Sequence, residues 1–138
     1  MPPNPRFTDN GDGTITDNLT GLIWLEDANC FGLQTWAQAL TDANTLNSGE
    51  CGLSDGSVEG DWYLPNRNEL TSLLDLENFN PALPTGHPFM NFVSSAYWSS
   101  TTYANSPFSV WYVNFLDGFV FYIVKTVNFY VLPVRGGS

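Results

Sequence analysis

At 138 residues the chain is one domain by length, and 43% hydrophobic against 13% charged content excludes a disordered or coiled-coil chain. Fourteen acidic residues face only Arg6, Arg67, Lys125 and Arg135, and this net charge of -10 leaves too few cations for nucleic acid or an anionic membrane surface. No apolar run approaches the roughly 18 residues needed to span a bilayer, and the opening MPPNPRFTDN lacks the basic and apolar regions of a signal peptide.

Arg6 to Leu25 reads as a β-hairpin, with the turn formers Asp9-Asn10-Gly11-Asp12-Gly13 and a second turn at Asn18-Leu19-Thr20-Gly21 before the apolar strand Leu22 to Leu25. The Asp-rich turn lacks the ligand spacing and distal Glu of an EF-hand, so a plain turn is expected there and no metal. Thr35 to Leu46 is predicted helical, with Thr35 as N-cap and Trp36, Ala39, Leu40, Ala43 and Leu46 on one face. A Gly/Ser/Asp loop from Cys51 to Gly60 leads through Trp62-Tyr63-Leu64-Pro65 into a second helix, Asn66 to about Leu76. Asn66 and Glu69 form its capping box, and Leu70, Leu73 and Leu74 its buried stripe. Phe79 to Asn91, with Pro81, Pro84, Gly86 and Pro88, is a loop that carries His87, expected to pack or face solvent. Strands follow at Tyr97 to Ser100, Val110 to Phe115, Phe119 to Val124 and Phe129 to Val134, with Asp117-Gly118 as a hairpin turn. The order is an α+β layout: N-terminal hairpin, two helices, antiparallel C-terminal sheet.

Cys30 and Cys51 fit neither a CxxC redox motif nor a zinc site. A disulfide between them is the expectation and two free thiols the alternative. The bond would close a loop of ~20 residues, contribute roughly 3 kcal/mol, and indicate an extracellular, cell-surface or periplasmic setting. One His, no Gly-rich phosphate loop after a strand and no GxSxG elbow argue against an enzyme, and no spacing singles out a pair of carboxylates. No catalytic residue and no cofactor is expected.

Phe119 to Val124 is apolar at every position, where a half-buried strand should alternate. Either the strand is covered on both faces or one face is an exposed apolar patch of the kind that marks binding.

Four further stretches bear on the choice. The run Phe7 to Asp17 followed by Thr20-Gly21-Leu22-Ile23-Trp24 resembles the bacterial Lcl C-terminal domain family, found at the end of collagen-like adhesins. So do Gly60 to Leu70, Tyr97-Trp98-Ser99-Ser100-Thr101 and Val131-Leu132-Pro133-Val134-Arg135, and the resemblance covers nearly the whole chain. The family usually carries Arg where this chain has Tyr63. The resemblance implies a C-type-lectin-like fold, related to the formylglycine-generating type. The oxidase activity of that relative needs a C-terminal cysteine pair, and here both cysteines lie in the N-terminal half, so the activity is not carried over.

Some members of the family resemble the variable proteins of diversity-generating retroelements, in which AAY codons are mutated at adenine. Asn105, Ser106, Phe108, Val110, Leu116, Phe119, Phe121, Tyr122, Ile123, Val124, Val127, Asn128, Phe129 and Leu132 all belong to the reachable residue set. Between them sit Trp111, Val113, Phe115, Gly118, Val120, Tyr130, Val131, Pro133 and Arg135, which read as scaffold, and Val134-Arg135-Gly136-Gly137 fits the end of such a region. The expectation is a hypervariable, ligand-binding display domain at about 97–135. It would recognise a protein or cell-surface ligand, with Phe119, Phe121, Tyr122 and Phe129 as anchors. The alternative is an adhesin-type domain binding glycans or polysaccharide, and self-association through the apolar patch is a further possibility.

Overall fold

A computed structural model describes residues 4–136; Gly137, placed above at the end of the variable region, lies outside them. Two antiparallel sheets organise the chain. Strands β1 (Phe7–Asp9), β2 (Thr14–Asp17) and β3 (Ile23–Leu25) form a meander across the two turns read from the sequence. Asp12 makes the first turn close: its carboxylate accepts from both the amide and the hydroxyl of Thr14, at 3.0 and 2.6 Å. Gly13 has φ +88°, and a Cβ there would lie 2.5 Å from the Gly52 carbonyl oxygen, so only glycine fits.

Helix α1 (Trp36–Asn44) begins where Thr35 caps it, the Thr35 hydroxyl accepting from the Gln38 amide. It stops two residues short of the predicted Leu46, which is buried all the same in a cluster with Leu25, Leu53 and Trp62 beside the disulfide. Helix α2 (Arg67–Thr71) has the predicted Asn66–Glu69 capping box but covers about one turn and a half, not the span to Leu76. Beyond Ser72 the Asp75 amide donates to the Ala82 carbonyl and the Asp75 carboxylate accepts from the Glu77 amide. These bonds replace the helical ladder.

Strands β4 (Ala96–Thr102), β5 (Ser109–Asn114) and β6 (Phe119–Val124) make the second sheet in sequence order. The predicted strand Phe129 to Val134 is broken. Phe129 and Tyr130 form single bridges to Gln34 and Tyr97, and only β7 (Val134–Arg135) is a strand, paired with β3. Pro133 has no amide to donate, while its carbonyl accepts from Leu25 as the segment crosses from one sheet to the other. That crossing joins the first and last strands of the chain in one sheet.

The largest core cluster lies between the sheets and α2, with Ile15, Trp24, Leu70, Tyr97, Val113, Phe115 and Val134 in it. A second, under α1, is built on Ala39, Ala43, Leu64, Trp98, Val110 and Val131. Each large side chain fully buried there contributes on the order of 2 kcal/mol. Cys30 and Cys51 are joined in a disulfide, as the first of the two readings expected.

Candidate functional site

The two clusters cover opposite faces of the β4–β5–β6 sheet. Register places Tyr97, Val113 and Val120 on the face toward the central core, and Trp98, Tyr112 and Phe121 on the face toward α1. Cover on the α1 side runs out at β6, whose side chains stand alternately free and half-buried along most of the strand. Phe119 is 52% exposed, Phe121 43% and Val124 47%. The strand is therefore neither of the two simple cases that its apolar sequence allowed: its inner half is covered and its outer positions are open.

Around this strand lie further open positions. Phe108 and Leu116 are exposed, as are Asn105 and Asn128, while Ser106 is half-buried. Tyr122 is half-buried because its ring stacks on Tyr103 at 3.8 Å between centroids and meets Trp111 edge-on at 5.7 Å. Arg67 lies over the Trp111 ring at 4.5 Å, so α2 holds one end of this aromatic ladder in place. The neighbouring Tyr103 hydroxyl holds the Tyr122 phenol above its ordinary pKa.

Other expected contact residues face inward, and two are corrections without remainder. Val110 and Leu132 are 0% exposed, in the α1-side and central clusters respectively, and cannot touch a ligand. Ile123 and Val127 are half-buried against the α1-side cluster. Phe129, expected as an anchor, turns its ring inward onto Trp98 at 4.8 Å and Tyr112 at 4.9 Å. The reachable-codon argument could not separate these from the exposed set, because it reads residue type and not the face on which a residue falls. Of the residues read as scaffold, Val113, Phe115, Val131 and Pro133 are buried, and Trp111, Val120, Tyr130 and Arg135 half-buried.

Exposed apolar surface also extends where no motif pointed. Leu76 is 74% exposed and Phe79 79%, and both lie beside the β5–β6 turn. The Leu76 side chain sits against Gly118, and the Asn80 amide donates to the Leu116 carbonyl at 2.7 Å. The signal available in the sequence was a Leu and a Phe among polar residues in a loop, which is weak by itself.

Among the described residues no group of three or more His, Cys, Asp or Glu could hold a metal ion, and no helix is long and apolar enough to cross a membrane. His87 sits against Phe89 and Phe92, and burial lowers its pKa. Tyr97, with its hydroxyl donating to the Ala28 carbonyl, is pushed up by burial. Tyr63 donates to Glu69 at 2.8 Å and is pushed up to about 12, chiefly by burial and then by that carboxylate. Each of these is a packing or bracing role.

Compared with known proteins, the chain matches the family model described as the Lcl C-terminal domain over residues 13–135. No curated protein matches it.

Proposed function

The chain belongs to the Lcl C-terminal domain family, and from that premise we propose that it is a non-enzymatic binding domain whose β6 surface recognises a protein or cell-surface ligand. The observation that carries the proposal is the pair Phe119 and Phe121, exposed side by side on one face of a regular strand with ring centroids 5.6 Å apart, in a protein with net charge -10. Rigid aromatic side chains on a strand bind with little ordering cost, and contiguous apolar surface rimmed by polar residues is characteristic of interaction sites. Asn105 and Asn128 are polar exposed positions near the same sheet.

The proposal extends to origin, fold and setting. Exposure of Asn105, Phe108, Leu116, Phe119, Phe121, Val124 and Asn128 supports a variable set displayed on a fixed sheet, as in a retroelement-diversified protein. The pairing of β3 with β7, which brings the two ends of the fold together, supports a C-type-lectin-like arrangement. The disulfide supports an extracellular, periplasmic or cell-surface location.

The test sets the chain beside a Phe119→Ser/Phe121→Ser variant on an array of extracellular proteins and on a glycan array. Protein binding that falls at least about tenfold in the variant is expected, since central aromatic anchors dominate interface energies. Glycan binding that survives both substitutions would move the assignment to the adhesin-type reading, and turnover in a general hydrolase screen would refute the non-enzymatic one. Sequencing the source locus decides the diversification claim separately: an adjacent reverse transcriptase and an adenine-rich template repeat are expected.

A further inference from the structure

The disulfide joins two segments that are held to the fold very differently. On the Cys51 side the loop is fixed by its own hydrogen bonds. The Gly49 amide donates to the Leu53 carbonyl, Leu53 to Glu50, Ser48 to Ser57, and Ser54 to Asp12 in the β1–β2 turn, and Leu53 is buried. On the Cys30 side, Asn29 to Leu33 makes no backbone hydrogen bond to any other described segment. Its bonds are local: the Asn29 amide donates to the Asp27 carboxylate, and the Gln34 side chain to the Phe31 carbonyl. The segment is pinned at its ends, where the Ala28 amide donates to Met90 and Gln34 pairs with Phe129. Between those ends only the disulfide and the Phe31 ring hold it.

Phe31 is half-buried and packs against two core clusters at once, the one under α1 that contains Trp98 and the one beside the disulfide that contains Leu25 and Trp62. The two cysteines are unequally placed, Cys30 exposed and Cys51 half-buried. Cys51 also stands at φ 51°, a left-handed conformation that its loop imposes on a residue other than glycine. An exposed disulfide with backbone strain on one side is of the kind that thiols reduce readily.

We propose that Cys30–Cys51 is a reducible latch, and that reduction by a low-molecular-weight thiol frees Asn29 to Leu33 while the rest of the fold holds. A thiolate attacks the exposed Cys30 sulfur: a new S–S bond forms there, the old one breaks, and Cys51 leaves as its thiolate. A second thiolate attacks the reductant sulfur now on Cys30, releasing the Cys30 thiolate and carrying the two reductant sulfurs away as their own disulfide. Each departing protein thiolate takes up the proton that an attacking thiol gave up, so two thiols are oxidised for one protein disulfide reduced. Opening withdraws Phe31 from between the clusters and bares apolar surface beside Trp98 and Trp62. It also loosens Gln34 against Phe129, whose ring packs on Tyr112, the strand partner of Phe121. The latch thus borders the face proposed above for binding. Its effect on a ligand rests on that reading, and the opening itself does not.

Graded glutathione added to the folded chain should release both thiols, and quenching with iodoacetamide partway should trap glutathione on Cys30 and the alkyl group on Cys51. In the reduced protein, hydrogen exchange should quicken at least about tenfold at the Gln34 and Phe129 amides and stay unchanged at Leu53, Ser54 and along β5. Cys30→Ser with Cys51→Ser should show the same pattern with no thiol added, and the reduced parent decides if that variant does not fold. A bond that resists glutathione until the chain is denatured would overturn the proposal. So would exchange that quickens everywhere together, the mark of a staple for the whole fold. Glutathione trapped on Cys51, or Gln34 and Phe129 amides that exchange as slowly as in the oxidised protein, would refute it as well.

Discussion

The two sheets differ in strand length, two to four residues in the N-terminal sheet against six or seven in the C-terminal one, and they are held together in opposite ways. The N-terminal sheet is tied by side chains. Arg6 makes a two-pronged ion pair with Asp17 at 3.0 and 2.8 Å and also donates to the Ser72 carbonyl beyond α2. Asn10 donates to the hydroxyls of Thr14 and Thr16, and Asn18 to that of Thr8. The C-terminal sheet is tied by rings: Tyr97, Trp98, Tyr112, Phe115 and Phe129 pack its two faces, and its last strand is left open. The difference teaches where change can be tolerated. A sheet held by specific hydrogen-bonded pairs fails when one partner is lost, whereas a sheet held from within by rings lets its outermost residues vary.

The largest effect should come from breaking the ion pair that ties the polar sheet to α2. Arg6→Ala leaves the Asp17 carboxylate, whose side chain is 0% exposed, buried without its cation. Loss of one partner of such a pair typically costs about 3–5 kcal/mol. Urea denaturation should show a large fall in midpoint at constant slope, and Asp17→Ala added to Arg6→Ala should recover part of it. On the other sheet, Phe119→Ser with Phe121→Ser should cost less than about 1 kcal/mol, since neither ring is in a core cluster. A loss as large as that of Arg6→Ala would erase the distinction between a varying edge and a fixed frame.

Much of this frame was legible from sequence because it depends on local chemistry. Thr35, the Asn66–Glu69 box and the Asp117-Gly118 turn each act within a few residues, and all three appear where spacing placed them. What could not be read depends on contacts across the chain. The length of α2 is set by Ala82 meeting Asp75, and the breaking of the last strand by Tyr130 pairing with Ala96 and Trp98. The site divides in the same way. Phe119 and Phe121 were identifiable as an apolar excess on one strand, but Val110 and Leu132 have the same residue character and lie in the core. Only the packing of α1 and the crossing segment decides which is which.

The smallest effect concerns acidity, and it too belongs to the N-terminal sheet. Glu26 is raised to about 6, first by burial, then by its hydrogen bond with Asp9, and then by the charges of Asp9, Asp12 and Asp27. Its unfolded value is 4.5, so the folded protein holds this proton more tightly than the unfolded chain does. Glu26 therefore weakens the fold at neutral pH and does so less as the pH falls from about 6 toward 4.5. His87, lowered by burial, works in the opposite direction as it gains a proton, so the total curve mixes the two. A comparison of variants separates them. Glu26→Gln replaces the carboxylate by an uncharged amide that can donate toward Asp9, and should be more stable than the parent at pH 7. The gap is on the order of 0.5 kcal/mol once solvent screening of a partly exposed group is allowed for, and it should close as the pH approaches 4.5. His87 is common to both proteins and cancels in their difference. A gap that persists at pH 4.5 would show that the turn is sensitive to the shape of the side chain at position 26, and that its charge is not what sets this end of the polar sheet apart from the aromatic one.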